Sequence, residues 1–224
     1  MWRALGNLLL PQSCFVCGEA GGSEPVCPSC THELLRVRTA CVLCALPLPR
    51  AGLCGRCQKK RPSFDATQVA LLYAFPADRL VQALKYRHRL GLAGYFSGLL
   101  LASVLQPPVD CIVPVPMHPR ALRERGFNQA VEIARPLARA WRLPLLLGGV
   151  RRVQDGPAQA SLSGLARRRS LRRAFEVDAT AVRGRSVLVV DDVMTTGTTL
   201  EHLARALKAA GATGVHNIVL ARTP

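Results

Sequence analysis

Acidic residues are scarce in this chain. Its 224 residues include 14 Asp and Glu against 30 Lys and Arg, a formal net charge of +16. Such a balance disfavours cationic partners and favours polyanions: nucleic acid, membrane headgroups or pyrophosphate esters. A basic surface without a specific partner is the plain alternative. Aromatic residues make up only 5% of the chain, so stacking platforms for unpaired bases are few. Charge-free apolar runs are rare too. The longest, Leu90 to Val109, has about the length that spans a bilayer. It contains Ser97, Ser103, Gln106 and three glycines and ends in Pro107-Pro108, which suits a helix inside a protein better. The N-terminal stretch Met1 to Leu10 has one Arg, a broken apolar run and no small-residue cleavage site, so it reads as a short amphipathic helix rather than an export signal. The expected setting is cytoplasmic, without membrane insertion. With 49% apolar residues, the chain can still bury a real core.

Cysteine is nearly absent beyond residue 57 and dense before it. Eight of the nine cysteines form four Cys-x-x-Cys pairs: Cys14/Cys17, Cys27/Cys30, Cys41/Cys44 and Cys54/Cys57. Shifting the first two pairs by 27 residues lands on the last two, an internal repeat of two C-x2-C-x9-C-x2-C units. Each Cys-x-x-Cys turn points two thiolates at one centre about 2.3 Å from each sulfur, and two turns complete a tetrahedral zinc site. Two structural zinc ions are therefore expected, with no open coordination position for catalysis. Iron–sulfur ligation and disulfides are the alternatives, and spacing alone also allows the first and third pairs to combine. The repeat ends well before the first expected sheet strand, so the sheet is expected to bind ligand without an intact ribbon. The remaining thiol, Cys111, sits in an apolar run and reads as a packing residue.

The expected organisation is a double zinc ribbon over 1–62 and an α/β domain over 63–224. In the second part short apolar runs alternate with helical stretches. Strands are expected at Val69 to Phe75, Cys111 to Val115, Leu145 to Val150, Ser186 to Val190 and Val215 to Leu220. Helices are expected at Ala77 to Tyr86, Leu92 to Leu105, Asn128 to Trp141 and Thr199 to Ala210, with a basic loop after the second strand. Such alternation indicates a parallel sheet with right-handed crossovers, whose ligands bind beyond the carboxyl ends of the strands.

The most informative segment is Val187-Leu-Val-Val-Asp-Asp-Val-Met-Thr-Thr-Gly-Thr-Thr199. An apolar strand emerges as Asp191-Asp192, runs through Thr195, Thr196, Gly197, Thr198 and Thr199, and enters a helix. N–H groups of a Thr/Gly turn at a helix N-terminus form an anion nest, and hydroxyls add donors to a phosphate. Two carboxylates just before the nest would repel a bare phosphate, so their partners should be hydroxyls or a metal. A ribose 5-phosphate offers a vicinal diol beside its phosphate, in the same order. An N-capped helix after a buried strand accounts for one Thr and one Asp but not for the set. Arg120, Arg123 and Arg125 follow the second strand and suit the pyrophosphate end of such a ligand, unless they form a solvated basic loop. Lys85 and Arg87 lie near a helix end, where a cation favours the dipole with or without a ligand.

These residues resemble the type I phosphoribosyltransferases, whose fingerprint is an apolar strand, two acidic residues and a Thr/Ser-Gly-Thr/Ser loop. The resemblance implies that Asp191 and Asp192 hold the ribose hydroxyls of phosphoribosyl pyrophosphate (PRPP) and that Thr195, Thr196, Gly197, Thr198 and Thr199 bind its 5-phosphate. Leu84-Lys85-Tyr86, Val113-Pro-Val-Pro116, Arg123-Glu-Arg-Gly-Phe-Asn-Gln129 and the Cys-x-x-Cys amino terminus are similar, more narrowly, to the ComF family of competence-associated proteins, over nearly the whole chain. That likeness implies a link to DNA uptake, with competence-machinery proteins as partners, and an active-site flap between Val150 and Phe175. Relatives usually carry Arg-x-x-Asn before Gly-Ala-Phe. This chain has Ser170 for the Asn and Arg173 for the Gly, a departure that adds charge.

The implied reaction replaces the pyrophosphate on ribose carbon 1 by a nitrogen nucleophile, with magnesium bridging pyrophosphate and ribose hydroxyls. Asp191 and Asp192 would stabilise the positive charge growing on the sugar, and Arg120 and Arg123 the departing pyrophosphate. No residue identifies the acceptor. Two further readings use the same fold without turnover: a competence factor binding single-stranded DNA, and a PRPP-sensing regulator.

Overall fold

The structure is a computed structural model that describes residues 13–19, 24–154 and 174–224. The helix expected at Met1 to Leu10, and the flap residues Arg167, Arg168, Arg169, Ser170, Arg172 and Arg173, lie outside the described residues. In chain order the elements are α1 (Pro28–His32), α2 (Gly55–Lys59), β1 (Ala66–Leu72), α3 (Ala77–Tyr86), α4 (Gly91–Ser103), β2 (Cys111–Pro114), α5 (Pro119–Arg125), α6 (Gln129–Trp141), β3 (Val150–Arg152), β4 (Phe175–Val177), α7 (Ala179–Val182), β5 (Ser186–Met194), α8 (Thr198–Ala209) and β6 (Gly214–Arg222).

Strands β1, β6, β5 and β2 form a sheet in that order, and each neighbouring pair is parallel. Val187 to Val190 on β5 is buried at every position, as a strand covered on both faces requires. Leu188, Val190, Ile218 and Leu220 face a layer of α3, α4 and α6, packing with Leu80, Leu84, Phe96, Ile133 and Leu137. Val187, Val189, Val215 and Val219 face Leu200, Leu203 and Leu207 of α8. The two cysteine units divide between these layers. Cys14, Val26 and Leu34 of the first join the α3–α4–α6 side, and Cys41, Cys44, Cys54 and Cys57 of the second join the α8 side. The chain between them crosses the outer edge of β1, where Leu72 N–H donates to the Leu35 carbonyl at 2.8 Å and Val37 N–H to that of Ala70 at 3.4 Å.

Several expected boundaries shift, among them the end of β5, which runs on to Met194 rather than Val190 and so includes Asp191 and Asp192. Strand β1 occupies Ala66–Leu72 rather than 69–75, because the Asp65 carboxylate takes the Val215 N–H (2.7 Å) and Lys208 Nζ (2.6 Å) and registers the chain earlier. The stretch Leu145 to Val150 makes a single parallel bridge, Leu145 to Ile112, and β3 begins only at Val150 as part of an antiparallel pair with β4. Gly149 turns the chain there with φ +80°, and a Cβ on it would stand 2.8 Å from Ala181 Cβ. The basic loop after β2 is in fact helix α5. His118 Nδ1 accepts from Arg120 N–H (3.3 Å), Pro119 occupies the first turn, and Gly126 ends the helix in a left-handed conformation. Leu90 to Val109 yields α4, a helix of 13 residues, and no helix among the described residues is long and apolar enough to cross a membrane.

Candidate functional site

Beyond Val190 the strand β5 outruns its neighbour β2, whose ladder partners end at Pro114. Asp191 and Asp192 stand at this free end. Asp191 is half-buried, and its Oδ1 accepts from the Asp192 N–H (2.9 Å). Burial, and then the charge of Asp192, push the Asp191 carboxyl up to about 8. Asp192 is only 3% exposed. Its Oδ1 accepts from Val193 N–H (2.7 Å), and its Oδ2 lies 2.8 Å from Lys85 Nζ, which reaches across from the last turn of α3. Lys85 therefore meets the acidic pair rather than only the end of its own helix.

The Thr loop follows. Thr195, Thr196 and Thr198 are exposed, Thr199 is half-buried, and Thr196 Oγ1 and Thr198 Oγ1 are 2.8 Å apart. Gly197 caps α8 with φ +81° and offers no side-chain acceptor, and the first N–H of the helix, that of Thr198, meets Thr196 Oγ1 at a long 3.4 Å. A Cβ on Gly197 would stand 2.5 Å from Met194 Cε. The left-handed backbone favours glycine here, while the Met194 methyl, at the end of a flexible side chain, can move aside.

The Arg cluster after β2 divides by role. Arg120 pairs with Glu124 at 3.0 Å on the outside of α5, and Arg123 is exposed. Arg125 instead donates to Gln129 Oε1 (2.8 Å), and its guanidinium carbon lies 5.5 Å from the centre of the Tyr86 ring. Asn128 caps α6 by accepting from Ala130 N–H, and its Nδ2 donates to the Val115 carbonyl at 3.0 Å. The segment Arg125 to Gln129 thus holds the loop after β2 and ties it to the neighbour of Lys85. A cavity of about 730 Å³ opens beside this loop, lined among others by Pro116, His118, Phe127, Asn128 and Arg152.

In each cysteine unit the four sulfurs lie within 4.8 Å of one another, Cys14, Cys17, Cys27 and Cys30 in one and Cys41, Cys44, Cys54 and Cys57 in the other. The sulfurs therefore group within each repeat unit and not across the two. No disulfide joins them. Burial alone would raise the Cys41 thiol, but the N–H groups of Cys54, Cys44 and Leu43 reverse this and bring it down to about 6, the thiolate range that zinc needs.

A family model described as Double zinc ribbon domain matches residues 5–58, and one described as Phosphoribosyl transferase domain matches residues 123–224. The DNA utilization protein YhgH of Escherichia coli (strain K12) is 35% identical over 96% of this chain and 99% of its own length. The chain belongs to the ComF family. Competence protein F of Haemophilus influenzae is 31% identical over 97% of the chain and 94% of its own length. Competence protein ComFC of Bacillus subtilis (strain 168) is 27% identical over 99% and 89%. The fold is that of a type I phosphoribosyltransferase with an N-terminal double zinc ribbon.

Two residues at the loop of this ComF protein escape sequence reasoning. Arg222, only 2% exposed, closes β6 opposite Met194. Its guanidinium donates to the carbonyls of Cys44 (3.1 Å), Met194 (3.1 Å) and Thr195. Arg56 of α2 donates to the Thr196 carbonyl at 2.9 Å. The second ribbon is thus in contact with the Thr loop, whereas sequence distance alone suggests separation. The one signal for Arg222 is an Arg closing the otherwise apolar run Val215 to Ala221, where only His216 and Asn217 intervene.

Proposed function

We propose that this protein binds PRPP with magnesium at the carboxyl end of β5 and transfers its phosphoribosyl group to a nitrogen acceptor. The observation that carries the reading is the acidic pair followed at once by a glycine-turned Thr loop on the N-terminus of a 12-residue helix. Asp191 is the accessible carboxylate and takes a ribose hydroxyl. Asp192, tethered by Lys85, orients the second. The N–H and hydroxyl groups of Thr195, Thr196, Gly197, Thr198 and Thr199 take the 5-phosphate. Arg120, on leaving Glu124, and the exposed Arg123 would swing to the pyrophosphate, while Arg125 holds the loop through Gln129. Two adjacent carboxylates, with the charge of Asp192 raising the proton affinity of Asp191, fit a hard divalent cation, and magnesium held there would supply charge neutralisation of pyrophosphate. In the transfer the bond from carbon 1 to pyrophosphate breaks with its electron pair on the leaving oxygen. The nitrogen lone pair forms the new bond, and the nitrogen proton passes to solvent or a base.

Two ribbons with four thiolates each fit two structural zinc ions, and free, grouped thiols suit the reducing cytoplasm. Pyrophosphate release from PRPP and magnesium across a panel of bases and amines tests the transfer. Turnover with some acceptor that disappears in Asp191→Asn supports it, and a calorimetric titration in which Asp191→Asn and Asp192→Asn bind PRPP like the parent sinks it.

A second reading, single-stranded DNA binding, is favoured by a cleft of about 380 Å³ between the second ribbon and α8, lined by Arg56, Lys60, Arg61 and Arg205 beside the Thr loop. Relatives named for DNA utilization and competence point the same way. Affinity should then fall with salt by a slope of roughly 0.7 per phosphate contacted. Absence of binding at about 0.1 M salt removes this reading.

A further inference from the structure

A loop that aims its N–H groups at a phosphate leaves its carbonyls needing donors elsewhere. In this protein three consecutive carbonyls, those of Met194, Thr195 and Thr196, are held by two guanidinium groups. Arg222 reaches the first two, sharing the Met194 carbonyl with the Thr223 N–H (3.1 Å) and its own Nη1 with the Thr223 carbonyl (2.6 Å), and Arg56 takes the third. Both groups are anchored in the second ribbon. The Nε of Arg222 donates to the carbonyl of Cys44, inside the Cys41-x-x-Cys44 turn. Arg56 lies between the ligands Cys54 and Cys57 on α2. Register fixes the first link, since Arg222 is the ladder partner of Met194.

We infer that Arg222, assisted by Arg56, is a positioning residue through which the second cysteine unit sets the shape of the phosphate loop. The second unit then belongs to the ligand site and the first does not. This rests on the reading of Thr195 to Thr199 as the phosphate loop. Arg222 touches no substrate. It acts mainly through the Thr195 carbonyl, since the Thr223 N–H also holds that of Met194, and its removal frees the peptide plane that carries the Thr196 N–H.

The full chain with both metals bound is compared with Arg222→Met, Arg222→Lys and Arg56→Ala by amide hydrogen exchange at Thr195 to Thr199, zinc content, and calorimetric titration with PRPP and magnesium. Arg222→Met should exchange faster at those amides and bind PRPP about tenfold or more weakly while retaining both zinc ions, since charge-assisted hydrogen bonds are lost. Arg222→Lys should recover part of both. Arg56 is exposed, so Arg56→Ala folds even if Arg222→Met does not, and it should weaken binding by about threefold with faster exchange near Thr196. Loop exchange like the parent's in Arg56→Ala and in whichever Arg222 variant folds overturns the inference, even where the melting temperature falls. If the parent itself fails to bind PRPP, the proposed function falls, and the exchange measurement still decides whether the ribbon shapes the loop.

Discussion

The two cysteine units share one spacing and part company in everything around it. The first keeps Cys17 exposed and rests on α4 through a hydrogen bond between Thr31 Oγ1 and Tyr95 Oη (2.7 Å) and one from Arg36 to Ser103 (2.8 Å). The second buries all four thiols and packs with Phe64, Leu200 and Leu203 against the sheet. The four-thiolate pattern therefore specifies a metal-sized gap and nothing about use. What separates the units is which side of β1 each lies on, and only one side carries the carboxyl-end loop.

The largest effect expected from this contrast is on cooperativity. Cys57→Ser should lower the main thermal transition by on the order of 10 °C, because removing the second metal also disturbs the core it shares with α8. Cys30→Ser should lower that transition by about half as much, because Cys30 is only partly buried at the edge of the core that Cys14, Val26 and Leu34 enter. Equal shifts in differential scanning calorimetry would erase the distinction. Next comes metal release to a chromogenic chelator. One zinc should leave at least about ten times faster than the other, since the exposed Cys17 offers entry and the buried set must open first. Assignment follows from Cys17→Ser abolishing the fast phase, and a single phase with two equivalents refutes the ordering.

How much of this could be read from the residues differs by level. The parallel sheet, the Asp-Asp end of β5 and the eight ligands follow from local pattern, because apolar runs, turn glycine and Cys-x-x-Cys spacing act over a few residues. Helix α5 escaped because its cap is a His, His118, which the usual capping rule does not include. The stretch at Leu145 to Val150 is apolar enough for a strand but is interrupted by Gly148-Gly149. The Lys85 to Asp192 pair and the Arg222 clamp join residues more than 100 and 170 positions apart, and spacing carries no information about such contacts.

Smaller effects sharpen the same contrast. Tyr95→Phe removes one hydrogen bond to the first unit and should cost about 1 kcal/mol, with metal retention in the second unit unchanged. The linker into the sheet is held by Glu201, whose carboxylate accepts from Ser63 N–H (2.7 Å) and Oγ (2.9 Å) and pairs with Arg205. Burial alone would raise this carboxyl, but those donors bring it below its ordinary value. A carboxylate depressed on folding stabilises above its unfolded pKa and loses that contribution as pH falls through the folded value. Glu201→Gln should therefore cost about 1 kcal/mol at pH 7 and progressively less below about pH 4.5 in urea titrations. A difference constant with pH would mean the charge is irrelevant there.

The short segment Leu35 to Val37, which carries the chain from one ribbon to the other, occupies the outer flank of β1. Were the first 62 residues deleted, a seven-residue strand would present its N–H and C=O groups to solvent, a template on which other chains can pair. The amino-terminal third is therefore also a guard against self-association. A truncated sheet domain should be found in aggregates even where its own core is intact, which makes the module inseparable for reasons of solubility as well as of ligand binding.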